Sequence, residues 1–117
     1  MPDGFAELIR ACAPDLSEVQ IAALQGHCEL MLRWNQTINL TTITKLADVV
    51  ERHYCESLFL ARFLPAGPLR VVDVGSGAGF PGIPVAVARP NVSVTLVEGH
   101  QRKAVFLKEA TRGFDNV

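Results

Sequence analysis

The chain has 117 residues, 49% of them hydrophobic and 20% charged, with a formal net charge of −1. That is room for one small domain, too apolar for a disordered chain and too neutral for whole-molecule attraction to nucleic acid. No apolar run approaches the roughly 20 residues of a bilayer span, and residues 1–11 carry Asp3, Glu7 and Arg10 without a basic start, so neither a membrane segment nor a signal peptide is read.

The first half reads as helices. A short one covers Gly4 to Ala11. The next opens at Asp15, with Glu18 at capping-box spacing, and ends near Asn35–Asn39. Its apolar positions are Val19, Ala23, Leu24, Cys28 and Met31, with Ile38 beyond, close to a period of 3.6. Trp34 is read as a packing aromatic. Thr44 is placed as the cap of a third helix running to about Phe63. At 100° per residue, Leu46, Val49, Val50, Leu60, Ala61 and Leu64 share a face, with His53 and Ser57 in its middle. A buried His and Ser need hydrogen-bond partners, and the face is expected to border a cleft.

Pro and Gly cluster at residues 65–68, which marks a linker. The expected organisation is a helical region over 1–64, a linker over 65–69 and an α/β unit over 70–117. In that unit Leu69–Val74 and Val92–Val97 are β-branched runs, read as buried parallel strands. Ile83–Ala88 is a short helix with Pro84 in its first turn. His100 to about Gly113 is another, with Ala104, Phe106, Leu107, Ala110 and Phe114 on one side. Residues 115–117 look like the entry to a third strand. The fold class is therefore α/β: N-terminal helices followed by a partial, Rossmann-like βαβα unit.

Charge is uneven: residues 1–69 carry −3 and residues 70–117 carry +2. The basic excess at Arg102, Lys103, Lys108 and Arg112 is read as a solvated helix face. The cysteines, Cys12, Cys28 and Cys55, are odd in number and form no C-x-x-C pair. That argues against a disulfide framework and a zinc site and for a reducing cytoplasm; no metal is expected. Cys55 is read as an ordinary thiol opposite the apolar face.

The chemistry concentrates in Asp73-Val74-Gly75-Ser76-Gly77-Ala78-Gly79-Phe80-Pro81-Gly82. Glycines directly after a buried strand let the backbone turn sharply and lie against a ligand. The following helix offers free N–H groups at its start. Nineteen residues beyond Gly79, at the end of the second strand, Glu98 can accept bonds from both ribose hydroxyls of an adenosine-containing cofactor. The segment from Gly77 to Gly82 matches the G-x-G-x-x-G of nicotinamide-dependent oxidoreductases, but the strand ends at Val74 and the turn begins at Gly75. Counted from the strand, D-x-G-x-G-x-G resembles the first motif of S-adenosylmethionine-dependent methyltransferases.

With the Phe80-Pro81-Gly82-Ile83-Pro84 tail included, the loop resembles one family, the bacterial 16S ribosomal RNA guanine-N7 methyltransferases called RsmG or GidB. Trp34-Asn35, Ile38-Asn39-Leu40-Thr41, Arg52-His53, Glu56-Ser57-Leu58, Arg102-Lys103 and Phe106-Leu107 resemble further motifs of that family, in the same order; Asp is more usual there at position 56. The resemblance implies that Gly75 and Phe80 contact S-adenosylmethionine, that Ser76, Gly77 and Gly79 shape the loop, and that Glu98 holds the ribose. It also implies a polar cluster of Asn39, Arg52 and His53 at the cleft mouth, with 16S ribosomal RNA or the small ribosomal subunit as partner. No catalytic base is assigned. Family members continue beyond two strands, so the chain is expected to be the first half of such a domain. It is expected to methylate RNA poorly or not at all alone and to self-associate through its open sheet edge. The competing expectation is a non-enzymatic helical interaction module with a remnant cofactor-binding half-domain.

Overall fold

The computed structural model describes residues 4–117. Helix α1 is Phe5–Cys12 and buries Phe5 and Ile9. Helix α2, Glu18–Trp34, starts at Ser17, whose hydroxyl accepts from the Gln20 N–H while the Gln20 side chain accepts from the Ser17 N–H. The capping box is thus Ser17…Gln20, not Asp15…Glu18. Both pairs have the required spacing; Ser17 takes the cap, and Glu18 instead pairs with Arg10 of α1. The buried face of α2 is Ile21, Leu24, His27, Cys28 and Met31, while Val19, expected in the core, is 80% exposed.

The third helix departs furthest from expectation. It consists of α3, Leu46–Val49, a π-helical segment, Val50–Cys55, and α4, Glu56–Phe63. Lys45 sits at its N-cap and no side chain caps it, so Thr44 does not play that part. The wider π turn rotates everything after it relative to a 100° wheel. Tyr54 and Leu58 enter the core together with Val49, Val50, Ser57 and Ala61, and Leu60 is left 44% exposed.

Strands β1, Leu69–Val74, and β2, Val92–Val97, pair in parallel with Leu69 opposite Val92 and Val74 opposite Val97. Helix α5, Gly82–Ala88, connects them and is buried from Gly82 to Val87 between the sheet, α2 and α4. The chain then forms α6, Gln101–Ala110, ending short of Gly113. The expected third strand begins as a single bond: the Val94 N–H donates to the Asn116 carbonyl at 2.7 Å. The Asn116 amide in turn donates to the carbonyls of Ala86 and Val92, both at 2.9 Å.

One apolar cluster runs from Phe5 and Ile9 through Leu24, Met31 and Tyr54 to Ile83 and Phe106. It crosses the 65–69 segment, so helices and sheet unit share a core. A smaller cluster of Ala61, Val85, Ala86, Val92 and Val94 packs α4 and α5 onto the strands. The Arg89 guanidinium donates to the carbonyls of Ala61, Leu64 and Pro65, tying the linker to the end of α5. The opposite sheet face is open: Val72, Val74 and Val97 are 61%, 77% and 45% exposed.

The cysteines correct the expectation of no disulfide and remove the ground it gave for a reducing cytoplasm. Cys12 at the end of α1 and Cys55 at the end of the π segment form a disulfide, with Cα atoms 5.9 Å apart. Their 43-residue separation gave no sign of it, because the pairing is made by the packing of α1 against the π segment. Cys55 is therefore not a free thiol. Cys28 is, and burial pushes its thiol up to about 11.

Candidate functional site

The site forms at the C-terminal ends of the parallel strands, where sheet backbone gives way to the glycine turn. Asp73 is the last buried residue of β1. Its carboxylate accepts from the Gly82 N–H at 3.1 Å, so one side chain ties the strand end to the start of α5. A Cβ at Gly82 would overlap Leu96 and crowd Asp73, so only glycine permits this approach. The turn is held from beneath by its own backbone. The N–H groups of Gly75 and Ser76 donate to the Val97 carbonyl, and that of Gly79 to the Ser76 carbonyl. The buried Ser76 hydroxyl donates back to the Asp73 carbonyl at 2.8 Å.

Gly75, Gly77 and Gly79 have φ of 75°, 56° and 102°, the left-handed region that side chains disfavour. Their surroundings differ. A Cβ at Gly75 or Gly77 would meet nothing within 4 Å, so this side of the turn is an open cradle. A Cβ at Gly79 would run into Ile83, so Gly79 is fixed by the core beneath.

Glu98 stands across the turn. One carboxylate oxygen accepts from the Gly77 N–H at 2.7 Å and the other from the His100 N–H at 2.8 Å, which joins the glycine turn to the start of α6. The bonds from His100 and Gly77 hold its carboxyl below the usual carboxylate range. Each oxygen keeps a lone pair for a further donor.

Behind the turn lies an aromatic cluster. Phe80, joined to Pro81 by a cis peptide bond, stacks on His53 with centroids 4.5 Å apart and planes 9° apart. Tyr54 and His27 meet the same ring edge-on at 4.9 and 5.2 Å. His53 is bonded to the Thr41 hydroxyl at 2.8 Å, and Thr41 belongs to a loop folded around Asn35, whose side-chain oxygen accepts from the N–H groups of Leu40 and Thr41. Burial pushes the His53 imidazole below its ordinary value, with Glu56 acting in the opposite sense. Trp34 packs on Phe106.

Of the three residues expected at the cleft mouth, His53 and Arg52 both lie by Phe80, and Asn39 is on a second groove. His53 lies under Phe80. Arg52 lines a shallow groove with Glu56, Ser57, Phe80 and Pro81. Asn39 opens on another groove, shared with His100, Arg102 and Lys103. Arg112, just past the end of α6, pairs with Glu109 at 2.8 Å, while Arg102 and Lys103 in the first turn of α6 line the groove.

Sequence reasoning missed His27. It is 3% exposed, and its two ring nitrogens lie 2.7 Å from the Tyr54 hydroxyl and 2.7 Å from the Ala78 carbonyl. The available signal was its place one position before Cys28 on the apolar face of α2. Burial lowers its pKa from 6.5 to about 4; the bond to Ala78 opposes this and His53 adds to it. Above pH 6.5 neither folded nor unfolded chain carries a proton there. As pH falls from 6.5 to about 4, the unfolded chain takes up a proton that the folded chain refuses, so stability is lost across that window. The expected loss is about 3 kcal/mol. Urea midpoints at pH 7.5 and 4 should therefore differ more for the wild type than for His27→Gln; equal pH dependence would contradict the assignment.

A parallel strand, a glycine turn, a buried helix and a second strand ending in a carboxylate that faces the turn form a partial Rossmann-like methyltransferase fold. The family model described as rRNA small subunit methyltransferase G matches residues 20–117. Proteins named ribosomal RNA small subunit methyltransferase G from Xylella fastidiosa (strain 9a5c), Sorangium cellulosum and Chromobacterium violaceum are 43%, 42% and 42% identical over 105, 114 and 109 residues. These alignments take in 88%, 96% and 93% of this chain and 49%, 48% and 50% of the respective relatives. The chain belongs to the rRNA small subunit methyltransferase G family and spans about half the length of these curated relatives.

Proposed function

We propose that the chain holds S-adenosylmethionine on the glycine turn for methyl transfer to N7 of a guanine in 16S ribosomal RNA, acting in the cytoplasm on the RNA or the small subunit. The observation that carries this reading is the open cradle over Gly75 and Gly77 with the Glu98 carboxylate at its rim. The donor set suits the cofactor. Glu98 has lone pairs left for two ribose hydroxyls, Gly75 and Gly77 admit a close approach, and Phe80 supplies an apolar wall. Ser76 and Gly79 are buried and shape the turn. When bound, the cofactor supplies a methyl group on a good sulfonium leaving group. Guanine N7 already bears a lone pair, so the residues here need only orient and exclude water, which fits the lack of an assigned base. Arg52, beside Phe80, and Asn39, beside Arg102 and Lys103, are the groups we assign to the RNA side.

Incubated with methyl-labelled S-adenosylmethionine and small-subunit RNA, the chain is expected to transfer little label on its own, with whatever it transfers found as 7-methylguanine and lost in Gly77→Asp. Label in another base contradicts the N7 assignment. RNA or subunit binding that survives Gly77→Asp, with no transfer under any condition, would favour the interaction-module reading.

The unpaired edge of β1 and the exposed valines of the sheet support self-association. Sedimentation is expected to show mass rising with concentration, and Val72→Lys to reduce the effect. A wild-type chain that stays monomeric to high concentration contradicts it. Among the described residues no helix is long and apolar enough to cross a membrane.

A further inference from the structure

Backbone bonds hold the two ends of the glycine turn, but residues 77–79 have no anchoring side chain of their own. Gly77 and Gly79 flank Ala78, and neither carries a side chain that could anchor the peptide. Two side chains reach the backbone of 77–79 from outside. Glu98 takes the Gly77 N–H from one side, and His27 reaches the Ala78 carbonyl from α2, 51 residues away in sequence. A carbonyl can only accept, so the His27 Nε2 must carry a proton. In the neutral ring the Nδ1 then has a lone pair, and the Tyr54 O–H donates to it. The Ala78 carbonyl thus fixes the tautomer, and the Tyr54 hydroxyl complements it by donating to the free Nδ1. The imidazole has no room to rotate: Phe80, Tyr54 and Phe106 all lie against it. The titratable groups facing it are Tyr54 and His53 from the π segment and Cys28 from its own helix. Burial keeps Tyr54 and Cys28 in their neutral forms, so none supplies the negative charge an imidazolium would need.

We propose that His27 is a positioning residue for the cofactor turn: as the Nε2–H tautomer that the Ala78 carbonyl requires and the Tyr54 hydroxyl complements, it holds that carbonyl and so sets where the Gly77 amide meets Glu98. The inference rests on the reading of this turn as the S-adenosylmethionine site.

Two amides separate its function from mere packing. The Gln amide nitrogen falls near the imidazole Nε2 and can still donate to Ala78. The Asn amide ends near Nδ1 and cannot reach it. Titration of the full chain with S-adenosylhomocysteine is expected to give roughly tenfold weaker binding for His27→Asn, the cost of one buried hydrogen bond, with most of that loss recovered in His27→Gln. Urea midpoints should fall in both variants. Equal affinities for the two variants and the wild type overturn the inference and leave the cofactor reading standing. A folded wild type that binds nothing overturns both. Should either variant not fold, the wild type still decides: nitrogen-15 spectra of its imidazoles at pH 7 are expected to show His27 neutral with the proton on Nε2, and a proton on Nδ1 overturns the proposal.

Discussion

Cys12→Ser is expected to lower the unfolding free energy of the oxidised chain by about 4 kcal/mol. The disulfide closes a loop of 43 residues in sequence separation, and in the chain-entropy picture that removes about 13 cal/mol/K from the unfolded ensemble. It joins the end of α1 to the π segment, whose next residues inward, Tyr54 and His53, support Phe80. Urea denaturation of the oxidised wild type, the reduced wild type and the serine variant checks this. The last two should coincide, well below the first; coincidence of all three would mean that the pair adds nothing. Cys28, buried with its thiol pushed up, should resist alkylation until the chain unfolds, which lets mass spectrometry count the bonded pair directly.

Gly79→Ala is the second large effect, also expected at about 4 kcal/mol. Two costs add. At φ of 102° an L residue is strained by about 1–2 kcal/mol. The new methyl would also overlap Ile83 Cδ1, stand 3.0 Å from Ile83 Cγ1 and 3.4 Å from His27 Nε2. Ile83 is fully buried and has nowhere to swing, so overpacking adds about 1–3 kcal/mol. Gly77→Ala is the control. At φ of 56° and with open space around its Cβ, it should cost about 1 kcal/mol. Comparable urea midpoints for the two variants would contradict this division of the turn into a buried anchor and an open cradle.

The sheet unit was legible because its signals are local. Two β-branched runs, glycines at a strand end and a carboxylate at the end of the next strand specify β1, the turn, α5, β2 and the position of Glu98 within the sequence itself. The N-terminal half was legible only as helices. A wheel at 100° per residue assumes one kind of turn, and the π segment breaks that assumption at Val50–Cys55, which is why Leu60 was placed inside and Tyr54 overlooked. The Cys12–Cys55 bond and the grip of His27 on Ala78 are pairings across 43 and 51 residues. No spacing rule encodes them, because they exist only once α1, α2 and the π segment have packed. His53 is half-buried, and its partners, Thr41 and Phe80, come from two loops that no local sequence pattern specifies.

The measurement that bears most directly on the central claim is calorimetric titration of the chain with S-adenosylhomocysteine, wild type against Gly77→Asp. Position 77 is well suited to the test. At φ of 56° aspartate is less strained than most side chains and a Cβ there meets nothing, so the variant should keep its fold while setting a second carboxylate beside Glu98. The predicted result is saturable one-to-one binding by the wild type, lost in the variant, with a urea midpoint lowered modestly and the fold kept. A folded wild type that takes up no S-adenosylhomocysteine, or a variant that binds it equally well, would contradict the assignment of the glycine turn as the cofactor site.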